Sequence, residues 1–167
     1  IRANNISGVN VTLPFKKLVI PLVDDLTSIA KEAQSVNTIY KLNGKVIGDN
    51  TDVGGFQTAL EKIKYQYKDK KVLILGAGGA CRAVIGALLE SGVEKLHVTN
   101  RTQKRAKDLQ VFFNSQIELI DWSEKEELLK NVNTVINATT LGMVGSDELQ
   151  FSLSKANENT TIVDLVY

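Results

Sequence analysis

The alternation of apolar and polar positions between residues 71 and 99 predicts a strand, a turn, a helix and a second strand. Residues 72–75 are apolar and rich in branched side chains, which is typical of a parallel strand buried on both faces. Residues 79–90 repeat apolar side chains at helical spacing and stop at Ser91-Gly92. A strand pattern then resumes over residues 96–99.

The same alternation continues along the rest of the chain. We predict a series of elements: a helix to about residue 113, a strand at 117–120, a helix at 124–130, and strands at 134–137 and 161–166. Strands that alternate with helices indicate an α/β fold with a parallel, doubly wound sheet. The carboxyl ends of its strands form one edge, where ligands bind, so we expect Ala138, Thr139 and Thr140 to flank a ligand.

The first 70 residues predict shorter elements. Residues 8–12 alternate as a strand does, and Pro14 is suited to the first turn of a helix that would contain Lys16. A second helix is predicted over residues 22–32. Asp24 and Asp25 lie near its start, where their negative charges interact favourably with the helix dipole.

A turn signal and a cap signal follow in this first part. The dipeptide Asn43-Gly44 lies between two apolar runs and predicts a β-hairpin over residues 36–48. Thr51 or Asp52 can cap the helix that comes next. Alone, a capping aspartate and a surface lysine such as Lys16 would be ordinary structural residues.

A glycine-rich turn follows the strand at 72–75: Gly76, Ala77, Gly78, Gly79 and Ala80. Glycine lets the backbone turn sharply and approach a diphosphate, whose charge is met by the free N–H groups that open the next helix. The third fingerprint position is Cys81, which is small but neither glycine nor alanine. A strand before the turn and a helix after it are the context that the mechanism requires, so we predict a Rossmann-type dinucleotide-binding domain.

The end of the second strand indicates which dinucleotide binds. An NAD site usually places a carboxylate there for the ribose 2′-OH, but no acid occurs between Lys95 and Lys107. The segment is instead polar and basic, with Asn100, Arg101, Thr102 and Arg105. Guanidinium groups present paired donors to phosphate oxygens, so we expect NADP(H); a solvated basic helix start is the alternative interpretation.

Composition narrows the classes of function. With 167 residues, 43% of them hydrophobic, the chain can bury one domain and part of another. A net charge of +1 with interleaved acids and bases argues against nucleic-acid and membrane partners. The single cysteine and single histidine provide neither a disulfide framework nor a zinc site, and we expect no metal. We interpret His97, Cys81, Trp122 and Met143 as structural, although Met143 could line a nicotinamide pocket.

Six short motifs, in this order, resemble the shikimate dehydrogenase family: residues 10–16 (NVTLPFK), 35–38 (SVNT), 48–52 (GDNTD), 76–80 (GAGGA), 100–102 (NRT) and 137–139 (NAT). The resemblance implies reduction of 3-dehydroshikimate to shikimate by NADPH, in the pathway to chorismate and the aromatic amino acids. It implies part of a smaller α/β substrate-binding domain at residues 1–52, a connecting helix and linker at 53–70, and the NADP-binding domain at 71–167.

The resemblance also implies roles for single residues. Lys16 and Asp52 would be the catalytic pair, and Leu165 would lie beside the nicotinamide. Contacts to the substrate would come from Thr12, Asn37 and Tyr167.

Several alternatives stay open. Family members begin with a strand and a serine-containing loop and end with a helix that brings a glutamine to the substrate; this sequence has neither and lacks an initiator methionine, so we expect a piece of a longer protein.

A relative that uses NAD or oxidises quinate, and a non-catalytic NADP-binding module, are the other hypotheses. We expect a small-molecule substrate, a cytoplasmic location and a monomer or homodimer.

Overall fold

A computed structural model describes residues 1–3 and 6–166 of the chain. These residues divide into two compact units. The first consists of Ile1–Gln66 together with Arg82–Ala87, and the second consists of Tyr67–Cys81 together with the residues from Leu88 onward.

The first unit contains a four-stranded mixed sheet and two helices. Its elements are β1 (Gly8–Asn10), β2 (Asp25–Leu26), α1 (Ser28–Ala33), β3 (Thr38–Leu42), β4 (Lys45–Asp49) and α2 (Asp52–Lys62). The strand order is β1-β3-β4-β2, with β2 parallel to β4 and the other pairs antiparallel. The predicted hairpin is confirmed, because Asn43 and Gly44 both adopt the positive φ angles that its tight turn requires.

Of the two helices predicted in this part of the chain, the first is absent and the second begins later than predicted. After Pro14 the chain forms turns and a short 3₁₀ segment at Ile20–Leu22, so Lys16 lies in a turn and not in an α-helix. The helix predicted from residue 22 begins only at Ser28. The N–H groups of Asp24 and Thr27 donate instead to Val46 O and Gly48 O of β4, at 2.8 and 3.0 Å. Long-range sheet pairing therefore takes the groups that a helix would have used.

The second unit is a five-stranded sheet in which every pair is parallel. Its elements are β5 (Lys71–Leu75), β6 (Lys95–Thr99), α4 (Gln103–Phe112), β7 (Glu118–Leu119), β8 (Thr134–Asn137) and β9 (Thr161–Asp164). The helix α3 (Gly79–Glu90) follows β5, and its residues Arg82–Ala87 are those grouped with the first unit. The strand order is β7-β6-β5-β8-β9, which confirms the predicted doubly wound sheet.

The helix predicted over residues 124–130 was wrong. The chain there forms two 3₁₀ segments, Trp122–Glu124 and Glu127–Asn131. Leu129 and Val132, three residues apart, are both buried in the core with Leu73 and Val135. The second 3₁₀ segment therefore buries Leu129, and the extended residue after its end, Val132, enters the same core.

The strand order positions a ligand site in the second unit. From β5 the chain builds the sheet to one side through β6 and β7, and then crosses to the other side with β8 and β9. The carboxyl ends of β5 and β8 are therefore the switch point, outside which ligands of doubly wound sheets bind. Among the residues that the structure describes, no helix is both long and apolar enough to cross a membrane.

Candidate active site

Lys16, Asn37 and Asp52 form one hydrogen-bonded cluster in the first unit. The Lys16 ammonium donates to Asp52 Oδ2 at 2.7 Å, and the Asn37 amide nitrogen donates to Asp52 Oδ1 at 2.7 Å. The side chains of Lys16 and Asp52 are 16% and 30% exposed. The carboxylate thus accepts one charged and one neutral donor in a partly shielded position that a small molecule can still reach.

Three different elements bring these side chains together. Lys16 lies in the turn after β1, and its carbonyl oxygen accepts from Val36 N at 2.8 Å. Asn37 directly precedes β3, and Asp52 is the first residue of α2. Asp52 therefore also lies where the helix dipole favours a negative charge.

Several residues of the GDNTD motif make contacts that explain why that residue type stands there. A Cβ atom on Gly48 would lie 2.8 Å from Leu26 Cδ2 and 3.0 Å from Val36 Cγ2, so any larger residue there would require these side chains to shift. The Asp49 carboxylate accepts from the Thr27 hydroxyl at 2.6 Å, and Thr27 caps α1. The motif therefore links the end of β4 to the starts of both helices.

The predicted cap of α2 was wrong. The Thr51 side chain makes no capping bond, and Asn50 performs this role, since its Oδ1 accepts from Asp52 N at 2.9 Å. Thr51 instead pairs with Asn37, whose side-chain oxygen accepts from Thr51 N at 2.9 Å and whose nitrogen donates to the Thr51 hydroxyl at 2.9 Å. The signal for Asn50 was its position two residues before the helix, where an asparagine can cap.

The other two residues predicted to contact the substrate are Thr12 and Tyr167. Thr12 is exposed at the start of the turn that carries Lys16, and its carbonyl oxygen accepts from Phe15 N at 2.8 Å. Tyr167 lies outside the described residues.

The glycine turn of the second unit is built by close backbone contact. Gly76 has φ +116°, and a Cβ atom there would lie 2.8 Å from Ala138 O and 3.1 Å from Thr139 N. Gly76 N donates to Thr99 O at 2.8 Å, so the ends of β5, β6 and β8 meet at this residue. A Cβ atom on Gly78 would meet no atom within 4 Å, which leaves open space beside the turn. Ala77, Gly79 and Ala80 complete the turn and begin α3.

A polar network joins the carboxyl ends of β8 and β9. The Asn137 side chain donates to Asp164 Oδ1 at 3.0 Å, and its oxygen accepts from the Thr139 hydroxyl at 2.7 Å. Leu165 N donates to Asn137 O at 3.0 Å, which places Leu165 at the same edge, and Thr140 is exposed next to Thr139. Asp164 had no predicted role, although a polar residue at the end of an apolar strand is the pattern that marks such an edge.

The basic segment after β6 is exposed. Asn100 donates to Thr102 O at 2.9 Å, and Arg105 N donates to the same oxygen at 3.0 Å, which forms the turn into α4. Arg101 Nη1 lies 3.9 Å from Asp147 Oδ2, and the two side chains are 59% and 87% exposed. A pair this exposed contributes little to stability, so the guanidinium is available to a ligand.

These groups fit a phosphorylated dinucleotide. The turn offers open space at Gly78 and a helix start, and cationic side chains follow β6 where a carboxylate would favour NAD. In the described part of the chain, no group of three or more His, Cys, Asp or Glu side chains could hold a metal ion.

His97 lies in the interior of β6, and its side chain is buried. Burial lowers the pKa of the imidazole, which Glu118 on β7 opposes from 3.2 Å away. A hydrogen bond from Lys95 in turn lowers the pKa of Glu118. The three residues form a structural cluster on neighbouring strands, away from the carboxyl edge.

Comparison with known families identifies the chain. The model for shikimate / quinate 5-dehydrogenase matches residues 57–167, and the model for the shikimate dehydrogenase substrate-binding domain matches residues 1–39. The chain belongs to the shikimate / quinate dehydrogenase family. The six motifs that resembled this family therefore reflect true membership.

Curated members of this family resemble the chain along its whole length. The NADP(+) shikimate dehydrogenase of Pelagibacter ubique is 42% identical over 167 residues, which are 100% of this chain and 61% of the relative. That of Geobacillus sp. is 39% identical over 171 residues, covering 100% of this chain and 62% of the relative. The chain therefore spans about three fifths of the length of these relatives.

Solved structures of the family share the fold. Shikimate dehydrogenase from Aquifex aeolicus matches with a TM-score of 0.86 and 37% identity, over 99% of this chain and 60% of its own. The Thermus thermophilus enzyme in complex with NADP(H) and shikimate matches at 0.84 and 34%, over 98% and 60%. Quinate dehydrogenase from Corynebacterium glutamicum in complex with NAD matches at 0.86 and 32%, over 98% and 60%.

Proposed function

We propose that this chain belongs to an enzyme that reversibly reduces 3-dehydroshikimate to shikimate with NADPH. The observation that carries the proposal is the cluster of Lys16, Asn37 and Asp52, in which an ammonium donor is held against a carboxylate at 2.7 Å. The curated relatives named above are shikimate dehydrogenases.

The proposed chemistry uses Lys16 as the proton donor. NADPH, when held by the glycine turn and the basic segment after β6, would supply a hydride (one proton and two electrons) to the carbonyl carbon. The carbonyl oxygen becomes an alkoxide, and the Lys16 ammonium donates the proton that makes it a hydroxyl. In the reverse direction the neutral amine takes that proton back.

Asp52 would orient both the lysine and the substrate. Each of its oxygens accepts one hydrogen bond in the structure, and a carboxylate oxygen can accept a second. A hydroxyl of the substrate can therefore donate to Asp52 while Lys16 stays in place. The exposed Thr12 offers a short neutral group for another hydroxyl of the substrate, and Asn37 would contact the substrate by exchanging its bond to the Thr51 hydroxyl. Positioning of this kind is a large part of catalysis.

The second unit would hold the cofactor. We propose that the glycine turn binds the diphosphate and that Arg101, Thr102 and Arg105 bind the 2′-phosphate, with Asn100 forming the turn. The two curated relatives described above are named as NADP(+) enzymes, whereas the Corynebacterium glutamicum quinate dehydrogenase was solved with NAD. The lack of a carboxylate after β6 favours NADPH in this chain.

We further propose that the enzyme works in the cytoplasm, as a monomer or homodimer. The 167 residues contain one cysteine, Cys81, which is buried, so no disulfide forms within this chain, in keeping with a reducing compartment.

The test is Lys16→Ala in the complete protein that contains this sequence. If Lys16 donates the proton as hydride arrives, its contribution is made chiefly in the transition state, so kcat should fall about a hundredfold to ten-thousandfold with little change in KM. The measurement is the steady-state oxidation of NADPH with 3-dehydroshikimate, followed by nicotinamide absorbance. Quinate is assayed in the oxidative direction, since it is the competing substrate.

Lys31→Ala is the matched control. Lys31 pairs with Asp25 at 3.1 Å in the same unit, but both side chains are more than half exposed. This variant should keep its kcat. An increase in KM alone on Lys16→Ala would mean that Lys16 only anchors substrate, and the proposed proton transfer would be wrong.

A further inference from the structure

Three consecutive residues between α1 and β3 each bond to Lys16, to Asp52 or to Asn50, the residue that caps the helix of Asp52. Ser35 O accepts from the Asn50 side chain at 2.9 Å, and Val36 N donates to Lys16 O at 2.8 Å. Asn37 itself donates to the Asp52 carboxylate. The geometry of the cluster therefore depends on how this segment is joined to the start of α2.

Asn50 makes that join with a buried side chain. It is 2% exposed, and its Oδ1 accepts from Asp52 N at 2.9 Å and more weakly from Val53 N at 3.4 Å. Its Nδ2 donates to Ser35 O at 2.9 Å. One amide group thus fixes the distance between the backbone that carries Asp52 and the backbone two residues before Asn37.

We propose that Asn50 is a positioning residue for catalysis, which acts through Asp52 and Asn37 and does not touch the substrate. This inference rests on the proposed function of the cluster. A buried amide with partners on both its oxygen and its nitrogen is rigid because either group would lose a partner if it moved. The amide therefore sets where the Asp52 carboxylate lies between its two donors.

The two roles of Asn50, capping α2 and linking to Ser35, use different groups of its amide and can be tested separately. Capping of α2 needs only an acceptor, but the link to Ser35 O needs a donor on the same side chain. Asn50→Ser keeps an acceptor for the helix start and is too short to reach Ser35 O as well. Asn50→Asp also keeps the acceptor, and its carboxylate has no proton to donate until it is protonated.

The experiment compares kcat and KM of these variants in the complete protein, with folding checked by circular dichroism. A small displacement of catalytic groups can cost about a hundredfold, so Asn50→Ser should lower kcat by roughly tenfold to a hundredfold and raise KM by less than this factor. Asn133→Ser is the control: Asn133 Oδ1 accepts from Lys71 N at 2.9 Å in the second unit and touches none of these groups. It should keep its kcat.

The pH profile gives a readout that a purely structural role would not move. As the pH falls, the introduced carboxyl of Asn50→Asp takes up a proton and can donate to Ser35 O, as the amide did. The ratio of its kcat to that of the parent protein should therefore rise as the pH falls, while both proteins stay folded. If Asn50→Ser does not fold, the pH dependence of the Asn50→Asp ratio by itself tests the proposal.

Two outcomes would overturn the inference. One is a folded Asn50→Ser variant whose kcat lies within about twofold of the parent value, or no lower than that of Asn133→Ser. The other is an Asn50→Asp ratio that does not change with pH. Loss of kcat in Lys16→Ala together with either outcome would leave the proposed function intact, whereas unchanged kcat in Lys16→Ala would count against the function itself.

Discussion

The two candidate ligand regions of this chain are built in different ways. In the first unit, side chains make the site: Lys16, Asn37 and Asp52 are joined by hydrogen bonds of 2.7 Å in a partly shielded position. In the second unit, the backbone makes the site: β5 and β8 approach at Gly76, and the charged Arg101 side chain extends into solvent.

This difference matches the two tasks that we propose. A group that transfers a proton must be held within hydrogen-bonding distance before the reaction, which requires partners in the free protein. A diphosphate is recognised by N–H groups at a helix start, which need only a backbone of the correct shape. Side-chain changes should therefore affect the first region most, and an added Cβ atom should affect the second.

Among the variants that test this comparison, Gly76→Ala should have the largest effect, a loss of unfolding free energy. Alanine at φ +116° is strained, and its Cβ would lie 2.8 Å from Ala138 O, so the second unit should lose on the order of 3 kcal/mol of unfolding free energy. Urea unfolding measures this loss. Gly78→Ala is the control, because its Cβ would enter open space: stability should remain while affinity for NADP(H) falls. Equal stability losses in the two variants would contradict the assignment of the close contact to Gly76.

Asp52→Asn should lower kcat by about a hundredfold. Both partners of Asp52, Lys16 Nζ and Asn37 Nδ2, are donors, so an amide with a single oxygen must turn its own NH₂ group towards one of them. Asp25→Asn is the control, since it changes the exposed pair with Lys31. Steady-state kinetics check this prediction, and a kcat equal to that of Asp25→Asn would show that the cluster tolerates the loss of charge.

Arg101→Ala should weaken NADPH binding much more than NADH binding. A charge-assisted hydrogen bond to the 2′-phosphate contributes about 1.5 to 3 kcal/mol, and the exposure of Arg101 favours the lower end, or roughly tenfold in Kd. Fluorescence titration with both cofactors measures the difference. Lys107→Ala, further along α4, should bind both cofactors as the parent does. An equal loss for NADPH and NADH in Arg101→Ala would mean that Arg101 does not contact the 2′-phosphate.

The smallest effect is a pH dependence confined to the second unit. Burial lowers the pKa of His97 from its ordinary value of 6.5, so the folded state binds fewer protons than the unfolded state in this range. The stability that comes from the neutral imidazole is present above pH 6.5 and is lost as the pH falls through the lowered pKa. His97→Gln should flatten the unfolding free energy in this window. The lowered pKa of Glu118 changes the unfolding free energy only below about pH 4.5, its ordinary value. The lowered pKa values of Asp24 and Asp25 in the first unit change it only below 3.8. A parent protein with no loss of stability just below pH 6.5 would contradict this prediction.

Sequence reasoning succeeded where the signal was local or strictly periodic. The Asn43-Gly44 turn determines its own hairpin, and the short apolar run before Gly76, rich in branched residues and ended by glycine, is typical of a buried strand. It failed where distant residues decide the structure. Strand β2 exists because Asp24 and Thr27 bond to β4, some twenty residues away, and nothing in their own neighbourhood indicates this pairing.

For the candidate site, the sequence identified the residue types but not their connections. Three separate motifs indicated Lys16, Asn37 and Asp52 as site residues, and the structure brings all three together. It did not show that Thr51 pairs with Asn37 or that Asn50 reaches Ser35. These bonds join the residues just before β3 to the residues just before α2, with a hairpin between them in the sequence, so their geometry follows only from the fold.

The segment of Ser35, Val36 and Asn37 has a consequence for how this protein can vary. Ser35 and Val36 hold their partners with backbone atoms, so these two bonds do not depend on which side chains stand there. The bonds do depend on the number of residues, because inserting or deleting a single one would move Asn37 away from Asp52 while Lys16 and Asn50 stayed where they are. The segment is therefore constrained in length more strictly than in composition, and gaps in an alignment of working homologues should avoid it even where substitutions do not.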